Sequence, residues 1–178
     1  MLFFTSDTHF GSRRTLELSH RPYSSVTQMD VALIQNWNTC VTLKDTVIHL
    51  GDFGDPRMLQ ALSFDKLYLI PGNYELKDPA VLSELKKDPR VEIWEKGKEL
   101  TLSDGKKYCL CHEPLNGLGA DKFYLFGHIH KLQLVKRNGI NVSTDIHNFR
   151  PMTEEEVTLL RKCVEEYYDD NVFTERCE

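Results

Sequence analysis

Short apolar runs of strand length alternate with helical periodicity through the first half of the 178-residue chain. "LFFT" (2–5), "TVIHL" (46–50) and "KLYLI" (66–70) are rich in β-formers, and each is followed by Ser, Gly or Pro-Gly. Between the first two, "QMDVALIQNWNTCVTL" repeats Met29, Leu33, Trp37 and Val41 every four residues, with Ile34 and Cys40 alongside. That period predicts a helix offering one apolar face to a sheet. "DPAVLSELKK" (78–87) predicts a second helix, with Pro79 in its first turn and lysines at its end. The first half therefore reads as β-α units, which favour parallel strands under helices.

The pattern changes beyond residue 90. "VEIW", "KELTL", "KYCLC", "KFYLFG", "LQLVKR" and "INVST" follow closely, with Asp104-Gly105 and Asn138-Gly139 between pairs as hairpin signals. Thr153 and Glu156 form a capping box ahead of "VTLLRKCVEEYY", so a last helix is expected over about 153–168, before a loose polar tail at 169–178. No repeat or linker-like break interrupts the chain. One α/β domain over residues 1–178 is expected, with a parallel half and a hairpin-rich half.

Composition adds limits rather than identity. With 40% hydrophobic and 28% charged residues the chain is an ordinary globular one, long enough for one core. A net charge of -5 argues against a broadly basic nucleic-acid surface. Cys40, Cys109, Cys111, Cys163 and Cys177 are an odd, scattered set, which fits packing roles in a reducing compartment. The apolar run "MLFFTSD" ends at Asp7, short of a signal-peptide core, and no stretch reaches membrane-spanning length, so the expected location is cytoplasmic.

Metal-seeking residues fall where the strands end. Asp7 and His9 follow the first strand, Asp52 the second and Asn73 the third; His112, His128 and His130 follow later ones. Ligand sites in open α/β sheets form beyond the carboxyl ends of strands. The i, i+2 spacing in Asp7/His9 and His128/His130 puts both side chains on one side of an extended segment. Gly51, Gly72 and Gly127 each precede a candidate, where a glycine permits a sharp turn. Each motif alone is weak, but D-x-H, G-D, G-N, H, G-H-x-H in this order is not a coincidence of core residues.

That ordered set resembles the calcineurin-like metallophosphoesterase superfamily over roughly residues 1–150. "THFGS", "RPYSS", "NWN", "HLGDFGD" and "DIHNFRP" resemble a branch of small bacterial and phage phosphoesterases. The resemblance implies an α/β/β/α fold, a two-sheet β-sandwich flanked by helices, with two metals at one edge. Asp7, His9, Asp52 and His130 would hold one ion; Asp52, Asn73, His112 and His128 the other, with Asp52 bridging. Imidazole with carboxylate or amide oxygen suits Mn, Fe, Zn, Co or Ni, Mn being favoured, over Ca or Mg. Two such ions can share an attacking hydroxide and stabilise the leaving oxygen, with no covalent protein nucleophile.

Tyr74 departs from the superfamily's usual G-N-H-[DE], where the His is a candidate general acid. A phenol stays a neutral O–H donor at pH 7, less suited to proton transfer. Tyr74 either hydrogen-bonds a phosphate oxygen or fills the rim, while Glu75 keeps the acidic position. His147 is the alternative source of an acid, or a loop residue without that role. Arg13, Arg14 and Arg21 lie in a loop that either closes over phosphate or carries surface charge. His49 is expected to be structural beside Asp52, His20 solvated, and Asn36 and Asn38 surface or capping groups. The expected function is a phosphodiester, rather than monoester, hydrolase acting on a small, possibly nucleotide, substrate. Two alternatives stay open: a catalytically weak scaffold of the same fold, which predicts eroded ligands, and a nuclease, which wants a basic groove. No membrane or extended nucleic-acid partner is expected, and the oligomeric state is open.

Overall fold

The structure is a computed structural model describing residues 1–113 and 122–169. In chain order it contains β1 (Leu2–Thr5), α1 (Arg13–Leu18), α2 (Val26–Cys40), β2 (Thr46–His49), β3 (Lys66–Leu69), α3 (Asn73–Lys77), α4 (Pro79–Leu85) and β4 (Val91–Ile93). There follow β5 (Lys98–Thr101), β6 (Lys107–Leu110), β7 (Tyr124–Phe126), β8 (Val135–Lys136), β9 (Gly139–Asn141), β10 (Met152–Thr153) and α5 (Glu154–Tyr167). Two mixed five-stranded sheets, flanked by helices, run in the orders β10-β1-β2-β3-β4 and β5-β6-β7-β9-β8.

Strands β1 and β2 are buried on both faces, which is why they read as continuous apolar runs rather than alternating ones, while β3 buries Leu67 and Leu69 and leaves Tyr68 half-buried on its other face. Phe3, Val47, Leu67 and Leu69 face the helices, in a core with Met29, Leu33 and Trp37 of α2. Phe4 and Ile48 face the other way, packing on Tyr108, Leu110, Leu125 and Ile140 of the second sheet. Helix α2 starts where the Ser25 hydroxyl accepts the Gln28 N–H at 3.1 Å, and its indole is fixed by Trp37 Nε1 donating to the Ser63 carbonyl at 2.8 Å. The expected capping box forms: Thr153 Oγ1 accepts from Glu156 N at 3.1 Å, and Glu156 Oε2 from Thr153 N at 2.8 Å. Of the loose tail expected at 169–178, only Asp169 lies within the described residues.

Four sequence expectations change. Strand β4, grouped above with the hairpin half, pairs parallel with β3 (Leu67↔Val91), because α4 is the crossover that returns the chain to the first sheet. Strand β10 was not expected; it adds antiparallel to β1 (Phe3↔Thr153). The second sheet has hairpins only at its rims, β5/β6 and β8/β9, while β6, β7 and β9 run parallel inside. The stretch after Gly11, read as a loop, winds into α1, with the Ser12 hydroxyl accepting the Thr15 N–H at 3.1 Å.

This topology puts the carboxyl ends of β1, β2, β3, β6, β7 and β9 at one edge. A parallel bridge between Ser6 and Ser143 draws the ends of β1 and β9 together there.

Candidate metal centre

All seven residues singled out by type and position meet at that edge. Asp7, His9 and His130 form one group, and Asp52, His112 and His128 another, the ligand atoms within each lying inside 4.8 Å of one another. Asn73 completes the second group, its Oδ1 being 3.0 Å from His112 Nε2 and 3.1 Å from His128 Nδ1. Asp52 stands between the two: its Oδ2 is 3.4 Å from His9 Nε2 and 3.5 Å from His112 Nε2. Its Oδ1 accepts the Tyr74 N–H at 3.0 Å, leaving Oδ2 turned to the imidazoles.

The donors fit metal ions. Two donors each about 2.1 Å from one ion, at tetrahedral or octahedral angles, lie about 3.0–3.4 Å apart. His112 Nε2 and His128 Nδ1 are 3.3 Å apart, and the Asn73 and Asp52 contacts fall in or beside the same range. His9 Nε2 is buried with no hydrogen-bond partner among the described residues, a state that a bound cation relieves. The ring tautomers agree. His112 Nδ1 donates to the Leu50 carbonyl at 2.7 Å and His130 Nδ1 to Asp145 Oδ2 at 2.7 Å, which frees each Nε2 as a ligand.

The backbone shows the same purpose. Asp7, His9, Asp52, His128 and His130 all adopt left-handed φ, between 48° and 70°. A non-glycine residue held there costs on the order of 1–3 kcal/mol, and such outliers gather at functional sites. Two glycines leave room for this crowding. A Cβ on Gly51, at φ 93°, would lie 2.5 Å from the Gly72 nitrogen; one on Gly127 would lie 2.5 Å from Asp7 Oδ2.

Burial and charge set the protonation of the metal-free groups. Burial pushes the Asp7 carboxyl above its ordinary range, against the pull of His112 and His130. Burial lowers His9 to about 3, so its ring is neutral and ready to ligate. Burial also works against a charged His112, but Asp52 and then Asp7 outweigh it and raise it to about 9. Cation binding there displaces a proton.

The other candidates are placed as follows. Tyr74 sets its ring edge-on to His9, centroids 4.8 Å apart, and is about a third exposed. Its hydroxyl has no hydrogen-bond partner among the described residues. Glu75 is buried and turned away from the rim: Oε2 accepts from Asp52 N at 2.8 Å and Gly72 N at 2.9 Å, and Oε1 from Phe53 N at 2.8 Å. It clips the Asp52 loop to the Asn73 loop. His147 joins neither group, its Nε2 donating to the Asn141 carbonyl at 2.8 Å. Arg13 is exposed on α1 and paired with Glu17 at 2.8 Å. His49 is buried, with Nε2 3.0 Å from Thr8 Oγ1. Asn36 and Asn38 tie α2 to the carbonyls of Asn148 and Ala61.

Arg21 is the correction. It is neither surface charge nor a loop arginine reaching for phosphate, but a buried group bonded to Asp145, 124 positions away. Asp145 and Ser6, whose hydroxyl donates to Asp7 Oδ2 at 2.6 Å, were not picked out from sequence. Ser6 adjoins Asp7, and Asp145 lies in the quoted "DIHNFRP"; nothing local marks either as a partner.

Comparison with known proteins gives the family and the fold. A family model described as the calcineurin-like phosphoesterase superfamily domain matches residues 1–144. The chain is 29% identical over 168 residues to protein MJ1445 of Methanocaldococcus jannaschii, covering 85% of this chain and 86% of that one. Its fold is similar to the crystal structure of AQ665 from Aquifex aeolicus, with a TM-score of 0.70 at 22% identity over 90% of this chain and 98% of the other. A fainter likeness, TM-score 0.47 at 19% identity, is to nuclease MPE of Pseudomonas putida, over 72% of this chain and 61% of that one. Among the described residues no helix is long and apolar enough to cross a membrane.

Proposed function

The chain belongs to the calcineurin-like phosphoesterase superfamily, and from that premise we propose that it is a dinuclear metal-dependent phosphodiesterase acting on small, nucleotide-sized esters. The observation that carries the reading is Asp52 Oδ2, set between His9 Nε2 at 3.4 Å and His112 Nε2 at 3.5 Å, where one oxygen can serve two cation sites. Bound there, two divalent transition ions, Mn favoured, supply Lewis acidity and a nucleophile derived from water at neutral pH.

The chain's own residues do the rest. His112 and His130 turn Nε2 toward the cation sites because the Leu50 carbonyl and Asp145 hold their Nδ1 protons. Glu75 keeps the Asp52 and Asn73 loops in register through three backbone N–H groups. Tyr74 overhangs His9, and its hydroxyl, without a hydrogen-bond partner among the described residues, can donate to a phosphoryl or leaving oxygen. That suits diesters with good leaving groups, which need little acid assistance. The scaffold alternative predicts eroded ligands, and the seven present here weigh against it.

The test is hydrolysis of bis(4-nitrophenyl) phosphate against 4-nitrophenyl phosphate by Mn-loaded protein. The expected result is a clear preference for the diester. Equal or better monoester turnover refutes the diester reading, and no hydrolysis of either refutes the enzyme reading.

A further inference from the structure

The chemistry proposed above makes no use of Arg21, yet Arg21 is among the most thoroughly engaged side chains in the molecule. Its side chain is 0% exposed and that of Asp145 2%. The guanidinium grips both carboxylate oxygens, Nε to Oδ1 at 2.9 Å and Nη2 to Oδ2 at 2.8 Å, a two-pronged contact that lysine cannot reproduce. Nη1 donates to the Thr8 carbonyl at 2.8 Å and Nη2 to the Asp7 carbonyl at 2.6 Å, with Met29 Sδ 3.5 Å from Nη1. Asp145 Oδ2 in turn accepts from His130 Nδ1 at 2.7 Å. Phe149 lies over the guanidinium at 5.8 Å, its backbone held at φ 56°, which is unusual for a bulky residue.

These contacts run from the Asp7–Thr8 backbone through Arg21 and Asp145 to His130. Among the described residues, Arg21 and Asp145 hydrogen-bond to none of Asp52, Asn73, His112 and His128. A buried ion pair is a poor device for stability, since apolar replacements are often neutral. A carboxylate behind a ligating imidazole, by contrast, fixes its tautomer and orientation, and losing it typically weakens metal binding 10- to 100-fold.

We propose that Arg21 and Asp145 are positioning residues for the Asp7/His9/His130 site alone. The Asp52 group has supports of its own in Glu75 and the Leu50 carbonyl, and meets the first group at Asp52 and where the Asp7 carboxylate accepts the His128 N–H at 3.0 Å. The inference rests on reading both groups as metal sites.

The test is cobalt(II) titration, followed by electronic absorption and metal content, of wild type and of the double variant Arg21→Met/Asp145→Asn, which removes both charges together. Binding at one site is expected to weaken about 10- to 100-fold while the other is unchanged. Adding His130→Ala to the double variant is expected to leave the unweakened site as it was, and adding His128→Ala to leave no tight site. Two ions bound with wild-type affinity, or equal weakening of both sites, overturns the proposal. If the double variant does not fold, Arg21→Lys takes its place; a loss confined to the same site is expected, and undiminished binding of both ions overturns the proposal. Failure of the wild type to bind cobalt, manganese or zinc sinks the metal reading itself, and that result is read before any variant is made.

Discussion

Replacing Glu75 with glutamine puts an amide N–H into a pocket lined by three backbone N–H donors. The carboxylate accepts from Asp52 N, Phe53 N and Gly72 N at 2.8, 2.8 and 2.9 Å, with two of the three on Oε2. Glutamine does best by placing its oxygen at the Oε2 position, which leaves the Phe53 N–H facing another donor. A hydrogen bond to a charged acceptor contributes about 1.5–3 kcal/mol, and the two that survive lose roughly half their strength with the charge. The sum is a destabilisation of about 3–6 kcal/mol. For a chain of this size each kcal/mol moves the melting temperature by about 2–4 °C, so a fall of roughly 6–24 °C is expected by calorimetry. Activity falls too, because the Asp52 loop is released. If Glu75 instead acts on the leaving group, Glu75→Gln lowers turnover of poor leaving groups with little change in melting. A shift below about 2 °C refutes the clip.

Three further outcomes follow from the same structure. Tyr74→Phe is expected to leave melting within about 1 °C and to cut kcat most for esters with basic leaving groups, in a series of graded alcohols; a uniform effect across the series means the ring only fills the rim. The Arg150 hydrogen bond holds Glu156 well below its usual 4.5, at about 2, so its contribution is full above pH 4.5 and fades as pH falls toward 2. Unfolding free energies from urea titration at pH 7 and pH 3 are therefore expected to differ less in Arg150→Met than in wild type, by under about 1 kcal/mol because the pair is part-exposed. With metal-free His112 raised to about 9, metal affinity rises with pH up to that value, and calorimetry at pH 7.5 in buffers of different ionisation enthalpy should show proton release.

Strands β1 and β2 were legible because burial on both faces forces unbroken apolar runs, and α2 because its four-residue repeat is strict. The seven metal-seeking residues were legible as residue types at strand ends, and the fold brings them to one edge. Their backbone was not. The glycines before Asp52 and His128 pointed to sharp turns, but left-handed φ at Asp7, His9, Asp52, His128 and His130 themselves is not written in their residue types, which rarely adopt it. Arg21 sat in a polar stretch beside two exposed arginines, and its partner Asp145 is 124 positions away, so composition pointed to solvent where folding provides a carboxylate. Glu75 was read by analogy as part of the acid machinery, although its i+3 relation to Gly72 already allowed the turn that captures the Gly72 N–H.

Both groups of side chains are proposed metal sites that share Asp52. The direct measurement is the metal content of wild-type protein loaded with manganese or zinc, dialysed against metal-free buffer and analysed by mass spectrometry. Two ions per chain are predicted, with one or none in Asp52→Asn. A wild-type chain that retains no metal contradicts the account.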